Sequence, residues 1–290
     1  MTLRRNLLNN KYISVIIVAY KSSNYILNCL KSILRYNDIG NKLEIIVVDN
    51  SPKNDSTFIN IKKLFPWVVL IKNRSNLGFG AASNVGARKA LGEILLFLNP
   101  DTELTEPIFY FVYKKFKYDK KLGLLGLKLI NMHGKLNLSF GYLPSTWSYF
   151  NLIFPMTKLR NLMNITPKIF YIQGADIFIR KNIFFKIGMF DENIFLFSEE
   201  SDIIYRIKKI KYNIKFFPEK KIIHLEGMSF DEQADLNRIE ESIKSLVYLI
   251  KKHKLDKNIL KKLLNVFNIK YFLFRRKIYK DYVIVINKYI

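Results

Sequence analysis

The sequence predicts an α/β protein, with a mostly parallel central sheet flanked by helices on both faces and a basic helical appendage at its C-terminal end. Three observations carry this. Short, largely apolar runs at Ile13 to Tyr20, Leu43 to Val48, Trp67 to Ile71 and Ile94 to Leu98 have the composition of strands covered on both faces. Segments between them repeat apolar residues at helical spacing, which makes the chain alternate strand and helix with short connections. Polar and turn-forming clusters follow the runs, notably Asp49-Asn50-Ser51-Pro52 and Asn99-Pro100-Asp101-Thr102. That edge of an open sheet is where ligands bind.

The elements follow in order. Ile13 to Tyr20 reads as a first strand. Arg4, Arg5 and Lys11 ahead of it look faintly like the start of a signal peptide, but Lys21 closes the run and no small-residue cleavage pattern follows. Ile26, Leu27, Leu30, Ile33 and Leu34 repeat as a helix face. Leu43 to Val48 is the second strand, after which Asn50 or Ser51 is placed to cap a helix. Trp67 to Ile71 is the third. From Asn76 the chain reads NLGFGAASNVGARKALGEILLFLNPDTE: a glycine-bearing loop, an Ala-rich helix from Ala81 to Leu91 ended by Gly92, a buried strand from Ile94 to Leu98, and an acidic tip. Ile108, Phe111, Val112 and Phe116 mark another helix, with Pro107 in its first turn. Leu122 to Ile130 reads as a strand, and His133 to Thr166 as a long loop without sustained periodicity. Tyr171 to Arg180 reads as one strand containing Gly174. Ser198 to Ile210 is an amphipathic helix with Ile203, Ile204, Ile207 and Ile210 inward and Glu199, Glu200 and Asp202 in its first turn. Ile214 to Pro218 and Lys221 to Leu225 read as two short strands. From Arg238 onward the pattern is helical and basic. These elements divide the chain into a catalytic body over residues 1–235 and an appendage over 236–290.

Composition bounds the function. A chain of 290 residues with 49% hydrophobic content can bury a full core. Its 48 Lys and Arg against 24 Asp and Glu give a net charge of +24, which calls for an anionic partner. Part of the excess is local: from Ser242 to Ile290 there are 13 basic and 2 acidic residues, a net of +11, leaving +13 on the rest. One cysteine, Cys29, excludes an internal disulfide framework and fits a reducing, cytoplasmic setting. No apolar stretch reaches the roughly 20 residues that span a bilayer, so membrane association is expected to be peripheral.

The chemical candidates stand at strand ends. Asp49 and Asp101 are, taken singly, ordinary turn residues. Glu199, Glu200 and Asp202 are equally suited to complementing a helix dipole, and a lone strand histidine such as His224 is more often a core residue than a ligand. Their shared position beside buried strands changes the reading, because one edge of the sheet could gather them. Transfer of a sugar from a nucleotide diphosphate needs that set: a nucleotide pocket, positive charge against the departing diphosphate, and a carboxylate to deprotonate the acceptor hydroxyl.

The motifs SVIIVAY from Ser14, VVDN from Val47, NLGFGAASNVG from Asn76 and FLNPDTE from Phe97 resemble the N-terminal signature of inverting family-2 glycosyltransferases of the GT-A fold, in the rhamnosyltransferase-like branch. GADIFIRKNIFFKIGMFDENIFLFSEESDIIYRIK from Gly174 and IIHLEGMS from Ile222 resemble that branch's acceptor-side block. The resemblance covers roughly Ile13 to Ser229 and keeps the family's motif order. It implies that Ala19 and Tyr20 line the nucleotide pocket, that Asp49 binds base or ribose, and that Asn76, Gly78 and Asn84 shape the adjoining loop. Asn99-Pro100-Asp101 stands for the family's Asp-x-Asp element, with Asp101 as the metal-contacting acid and Asn99 beside the nucleotide sugar. His224 matches the histidine that reaches the metal, a Mg²⁺ or Mn²⁺ ion. Glu200 falls at the general base, with Asp202 in the same turn as a second candidate.

The implied reaction moves rhamnose from dTDP-rhamnose, or another hexose from UDP-galactofuranose, UDP-glucose or UDP-galactose, onto a cell-surface glycan or lipid-linked acceptor, in polysaccharide, lipopolysaccharide or capsule synthesis. GFGAAS from Gly78 superficially resembles a dinucleotide fingerprint of an oxidoreductase. That fingerprint belongs directly after the first strand, where the chain reads AYKSSN. A nucleic-acid partner rests on charge alone and is not expected. The basic tail, with Phe272, Phe274, Arg275 and Arg276, fits either an anionic membrane surface or a helical wall packed on the body.

Overall fold

A computed structural model describes residues 11–52, 57–144, 156–166, 170–225 and 235–290. Its centre is an eight-stranded sheet in the order β3-β2-β1-β4-β9-β6-β10-β5. Strands β1 (Ile13–Ala19), β2 (Leu43–Asp49), β3 (Val69–Lys72) and β4 (Ile94–Leu98) run parallel. β6 (Leu122–Ile130) and β10 (Asn213–His224) are parallel to each other. β9 (Asp176–Arg180) is antiparallel to both β4 and β6, and β5 (Thr102–Leu104) closes the edge antiparallel to β10.

The apolar runs dictate the layers. Along β1, Ile13, Val15, Ile17 and Ala19 join one core while Ile16 and Val18 join the other, as the two-residue period of a strand requires. The first core is covered by α1 (Ser23–Arg35), through Ile26, Cys29, Leu30 and Ile33, by Ile61 of α2 (Thr57–Leu64), and by α4 (Phe109–Tyr118), through Phe109, Val112 and Phe116. The second is covered by α3 (Phe79–Lys89), α6 (Lys181–Lys186) and α7 (Glu199–Lys209), the last through Ile203, Ile204 and Ile207. Each fully buried Ile, Leu or Phe contributes about 1.5–3 kcal/mol relative to exposure. Helix α3 lies close on the sheet because Gly86 leaves room: a Cβ there would come 2.6 Å from the Ile16 Cγ2.

Beyond the body, α8 (Asp235–His253), α9 (Ile259–Phe274) and α10 (Lys277–Asn287) build a third hydrophobic cluster of their own around Ile243, Ile259, Leu263, Phe267, Val285 and Ile286. Polar contacts tie α8 to the body. Ser245 Oγ donates to the Leu196 carbonyl (2.8 Å), and Lys252 Nζ reaches Asp191 (2.6 Å) and Asp202 (2.7 Å). Among the described residues, no helix is long and apolar enough to cross a membrane.

Four sequence expectations need correction. Tyr171 to Arg180 is not one strand. β8 (Phe170–Ile172) pairs with β7 (Phe140–Tyr142) in a separate two-stranded sheet, and Gln173 to Ala175 carries the chain back to β9. Ile214 to Pro218 and Lys221 to Leu225 form one strand, β10, with an irregular register between Phe217 and Lys221, where Pro218 has no N–H to donate. The interval from His133 to Thr166 holds β7 and the short helix α5 (Met156–Leu162), elements too brief to show a period. The third run is not covered on both faces, because β3 is an edge strand with Val69 and Lys72 exposed and Leu70 and Ile71 half-buried; the residues that would show whether Asn50 or Ser51 caps α2 lie outside the described residues. The end of the acceptor-side motif, residues 226–229, lies outside the described residues.

Candidate active site

The carboxyl ends of β1, β2 and β4 set the first half of the site. Asn50, buried after β2, works as a hub. Its Nδ2 donates to Asn76 Oδ1 (2.7 Å) and to the Gly78 carbonyl (3.4 Å), and its Oδ1 accepts from Asn73 Nδ2 (3.0 Å) and the Leu77 amide (3.1 Å). One side chain therefore fixes the loop from Asn73 to Gly78. Asn76 Oδ1 also accepts from the Gly78 amide (3.0 Å). Gly78 has φ +80°, and a Cβ there would overlap the Phe195 carbonyl oxygen. The loop glycine thus serves the approach of the Phe195 segment, whose carbonyl also accepts from the Phe79 amide (3.1 Å).

Several expected ligand-binding residues are committed internally. Asp49 is fully buried, with Oδ2 paired to Lys72 Nζ (2.6 Å) and Oδ1 accepting from the Ser51 amide (2.9 Å). Asn84 is buried in α3. It accepts from the Phe190 amide (3.0 Å) and donates to the Phe190 carbonyl (2.9 Å) and Glu192 Oε1 (3.0 Å). It therefore clamps the loop after α6 to α3. Ala19 is buried and its carbonyl accepts from the Asn50 amide (2.7 Å), while Tyr20 stands exposed at the same strand end.

The second half gathers after β4 and β10. Asp101 Oδ1 lies 3.5 Å from His224 Nε2, and Asn99 Nδ2 lies 3.4 Å from the same nitrogen. Both Asp101 and His224 are buried, and the strand ends are stitched together by the Leu225 amide donating to the Asp101 carbonyl (3.0 Å). Among the described residues His224 Nδ1 is buried with no hydrogen-bond partner, whereas Asn137 Nδ2 donates to the His224 carbonyl (2.8 Å). Two adjacent ligands of an octahedral hard cation sit about 3 Å apart, so Asp101 and His224 are spaced to share one. Among the described residues no group of three or more His, Cys, Asp or Glu side chains forms a closed metal cage. The rest of a coordination shell would come from phosphate oxygens and water.

Glu200 lies close to this cluster. Ala175 accepts from the Asn99 amide (3.1 Å), and a Cβ on Gly174 would stand 4.0 Å from Glu200 Oε2. The connection from β8 to β9 thus has the Asn99 cluster at one end and the α7 carboxylates beside it. Phe197 and Ser198, both at positive φ (67° and 70°), aim the first turn of α7 there, a backbone that costs roughly 1–2 kcal/mol per residue. Burial raises the Glu200 pKa to about 7. Neighbouring Glu199 is more deeply buried, its Oε1 has no partner among the described residues, and burial with the adjacent Glu200 charge raises its pKa well above the usual carboxylate range. Glu200 opens on a cavity of about 790 Å³ walled by Asn137, Tyr142, Tyr171 and Gln173 on one side and by Leu246, Leu263, Phe267 and Lys270 of the appendage on the other.

Asp202, two residues along in the same turn, has different company. Its Oδ2 accepts from Arg206 Nε (2.9 Å) and Nη2 (2.5 Å), while Oδ1 meets Lys252 Nζ (2.7 Å) and His253 Nε2 (2.7 Å). Fully buried and held by these four contacts, it joins α7 to α8, and neither oxygen is left free to meet an acceptor hydroxyl.

Sequence reasoning missed Asn50 as the loop's hub, although it stands inside the quoted VVDN motif. It also missed Gln173 and the appendage side chains of the cavity wall, for which one sequence offers no signal.

The chain matches the family model described as "Glycosyl transferase family 2" over residues 14–187. It is 26% identical over 260 residues to the low-salt glycan biosynthesis hexosyltransferase Agl10 of Haloferax volcanii, covering 82% of this chain and 72% of that protein. It is 24% identical over 201 residues to the O-antigen biosynthesis protein RfbC of Myxococcus xanthus, covering 64% of this chain but only 15% of the relative. Among solved structures, mannosyltransferase PcManGT from Pyrobaculum calidifontis, in complex with GDP-Man and Mn²⁺, superposes with a TM-score of 0.61 at 14% identity, over 96% of this chain and 84% of that one. The architecture is the GT-A fold, and the chain belongs to glycosyl transferase family 2.

Proposed function

We propose that the chain is an inverting hexosyltransferase that moves a sugar from a nucleotide-diphosphate donor, with dTDP-rhamnose first among candidates, to a cell-surface glycan or a lipid-linked acceptor. The observation that carries the reading is Glu200. Its carboxyl titrates near pH 7, faces a cavity large enough for a sugar, and sits beside the segment that touches the Asp101–His224–Asn99 cluster. A general base works best with a pKa close to the operating pH.

In this reading Glu200 takes the proton of the acceptor hydroxyl as the acceptor oxygen attacks the anomeric carbon. The bond from that carbon to the diphosphate oxygen breaks in the same displacement, and the configuration inverts. Asp101 and His224 would hold a Mg²⁺ or Mn²⁺ ion, which when bound supplies positive charge against the diphosphate. Asn99 would orient a donor oxygen beside them. The loop fixed by Asn50, with Asn76, Gly78 and Tyr20 around it, would receive the nucleotide. Asp49 would act there through Lys72, and Asn84 through the loop that it clamps. Asp202 would position α7 rather than accept a proton.

The rhamnose assignment rests on the Asn99-Pro100-Asp101 motif, and the surface-glycan acceptor is supported by the likeness to Agl10, a low-salt glycan biosynthesis hexosyltransferase, and RfbC, an O-antigen biosynthesis protein. A lipid-linked acceptor would bring the enzyme to a membrane surface. The test is release of nucleotide diphosphate from dTDP-rhamnose, UDP-glucose, UDP-galactose, UDP-galactofuranose and GDP-mannose, with and without Mn²⁺. Turnover confined to dTDP-rhamnose supports the donor proposed, and turnover of another donor replaces it. Hydrolysis or transfer from none, in the presence of glycan acceptors, overturns the reading.

A further inference from the structure

The corner between α9 and α10 is unlike the rest of the surface. Phe272, Leu273 and Phe274 are 70%, 62% and 60% exposed, and Arg275, Arg276 and Lys277 follow, all exposed. Three large apolar side chains in a row stand at the end of a helix whose inner face is satisfied by Leu263, Val266 and Phe267; among the described residues none of the three joins a buried core, and Phe274 only meets the edge of the third through Tyr279 (ring centroids 6.3 Å). Exposed single hydrophobes are ordinary, but a contiguous cluster of this size marks an interaction site.

Charge narrows the partner. From Lys257 to Ile290 the chain carries nine Lys and Arg and a single acid, Asp281, which is buried. The αL turn at Arg275 places the guanidinium over the Tyr271 and Phe272 rings (5.7 and 5.4 Å), so cation and aromatic faces form one patch. Aromatic and aliphatic side chains flanked by a collar of cations, without acids, match the boundary between acyl chains and anionic headgroups. A second copy of the chain would bring the same cations against themselves.

We propose that this corner is a membrane-docking wedge: Phe272, Leu273 and Phe274 enter the interface of an anionic bilayer while Arg275, Arg276, Lys277 and nearby Lys280 contact its headgroups. Lys270, one turn before Phe274 on the same helix, lines the cavity that contains Glu200. Docking by the wedge therefore turns the mouth of the acceptor cavity toward the lipid surface. The wedge does not depend on the identity of the sugar, so the two proposals stand or fall separately.

The test is co-sedimentation of the full chain with vesicles of phosphatidylcholine alone and with about one third phosphatidylglycerol, at low and high salt. The expected result is binding to the anionic vesicles, weakened by salt. It should fall at least tenfold in both Phe272→Ser/Phe274→Ser and Arg275→Gln/Arg276→Gln/Lys277→Gln, with melting temperature and transfer to a short water-soluble acceptor unchanged. These side chains are exposed, so the variants should fold. Failure of the parent protein to bind anionic vesicles, or binding unaffected in both variants, overturns the proposal. A dimer of the parent chain that is lost in Phe272→Ser/Phe274→Ser, without a change in vesicle binding, overturns it in favour of a second copy.

Discussion

Replacing Glu200 by Gln tests the site through two independent measurements. The change keeps shape and removes the charge, so catalysis should lose the contribution of a positioned base, about 10²–10⁴-fold in kcat/KM. The parent enzyme's kcat/KM should rise with pH and level off above about 7, where Glu200 becomes the carboxylate, and the variant should lose that limb. Stability moves the other way. A carboxyl whose pKa is raised from 4.5 to about 7 on folding binds its proton more tightly in the native state. Its contribution is therefore fully present below about pH 4.5 and lost as pH rises through 7. At 1.36 kcal/mol per pKa unit, the loss is about 3 kcal/mol. With an unfolding entropy of roughly 2.1 cal/mol/K per residue, this is about 5 °C for a chain of this length. Glu200→Gln should thus melt close to the parent at pH 5 and about 5 °C higher at pH 8.5. Calorimetry at the two pH values and a nucleotide diphosphate release assay read both effects. A pH limb that persists unchanged in the variant, or activity within threefold of the parent, would refute the assignment.

Three further outcomes follow from the geometry. Asp101→Ala should lower transfer at least 10²-fold and abolish any Mn²⁺ stimulation, and His224→Ala should weaken the Mn²⁺ response measured by thermal shift; an unchanged response in both would remove the pair as the cation site. Asp202→Asn leaves Arg206, Lys252 and His253 without their shared anion, so it should cost about 3–5 kcal/mol of stability by denaturant titration. The pH limb of its residual activity should stay near 7, because Glu200 is untouched. Gly78→Ala should destabilise by about 1–3 kcal/mol, since the residue must adopt φ +80° and its Cβ meets the Phe195 carbonyl. An unaltered melting temperature would mean that the Phe195 segment moves aside without cost.

Much of the scaffold could be read from composition and period. The runs at Ile13, Leu43 and Ile94 became adjacent parallel strands because continuous apolar segments can be satisfied only where both faces are covered. Long-range pairing was harder. Tyr171 to Arg180 reads as one strand containing Gly174, yet Ile172 pairs with Phe140 and Asp176 with Leu98. Nothing local separates those partners. Asp176 itself is an example: its Oδ2 accepts from the Leu127 amide in place of a ladder bond, and burial raises its pKa well above the usual carboxylate range.

The sequence by itself determined that the runs at Ile13, Leu43 and Ile94 are buried strands, where the acids and the histidine fall relative to strand ends, and that the tail is cationic, since each follows from the order and spacing of residue types. Only the tertiary structure separated the two carboxylates proposed for the base. Glu200 and Asp202 share one helical turn, but the fold buries Glu200 away from compensating charge and delivers Arg206, Lys252 and His253 to Asp202. Two of those three side chains come from a helix some 50 residues away. A carboxylate's proton affinity is set by the charges and solvent that folding places around it, and no local pattern contains them.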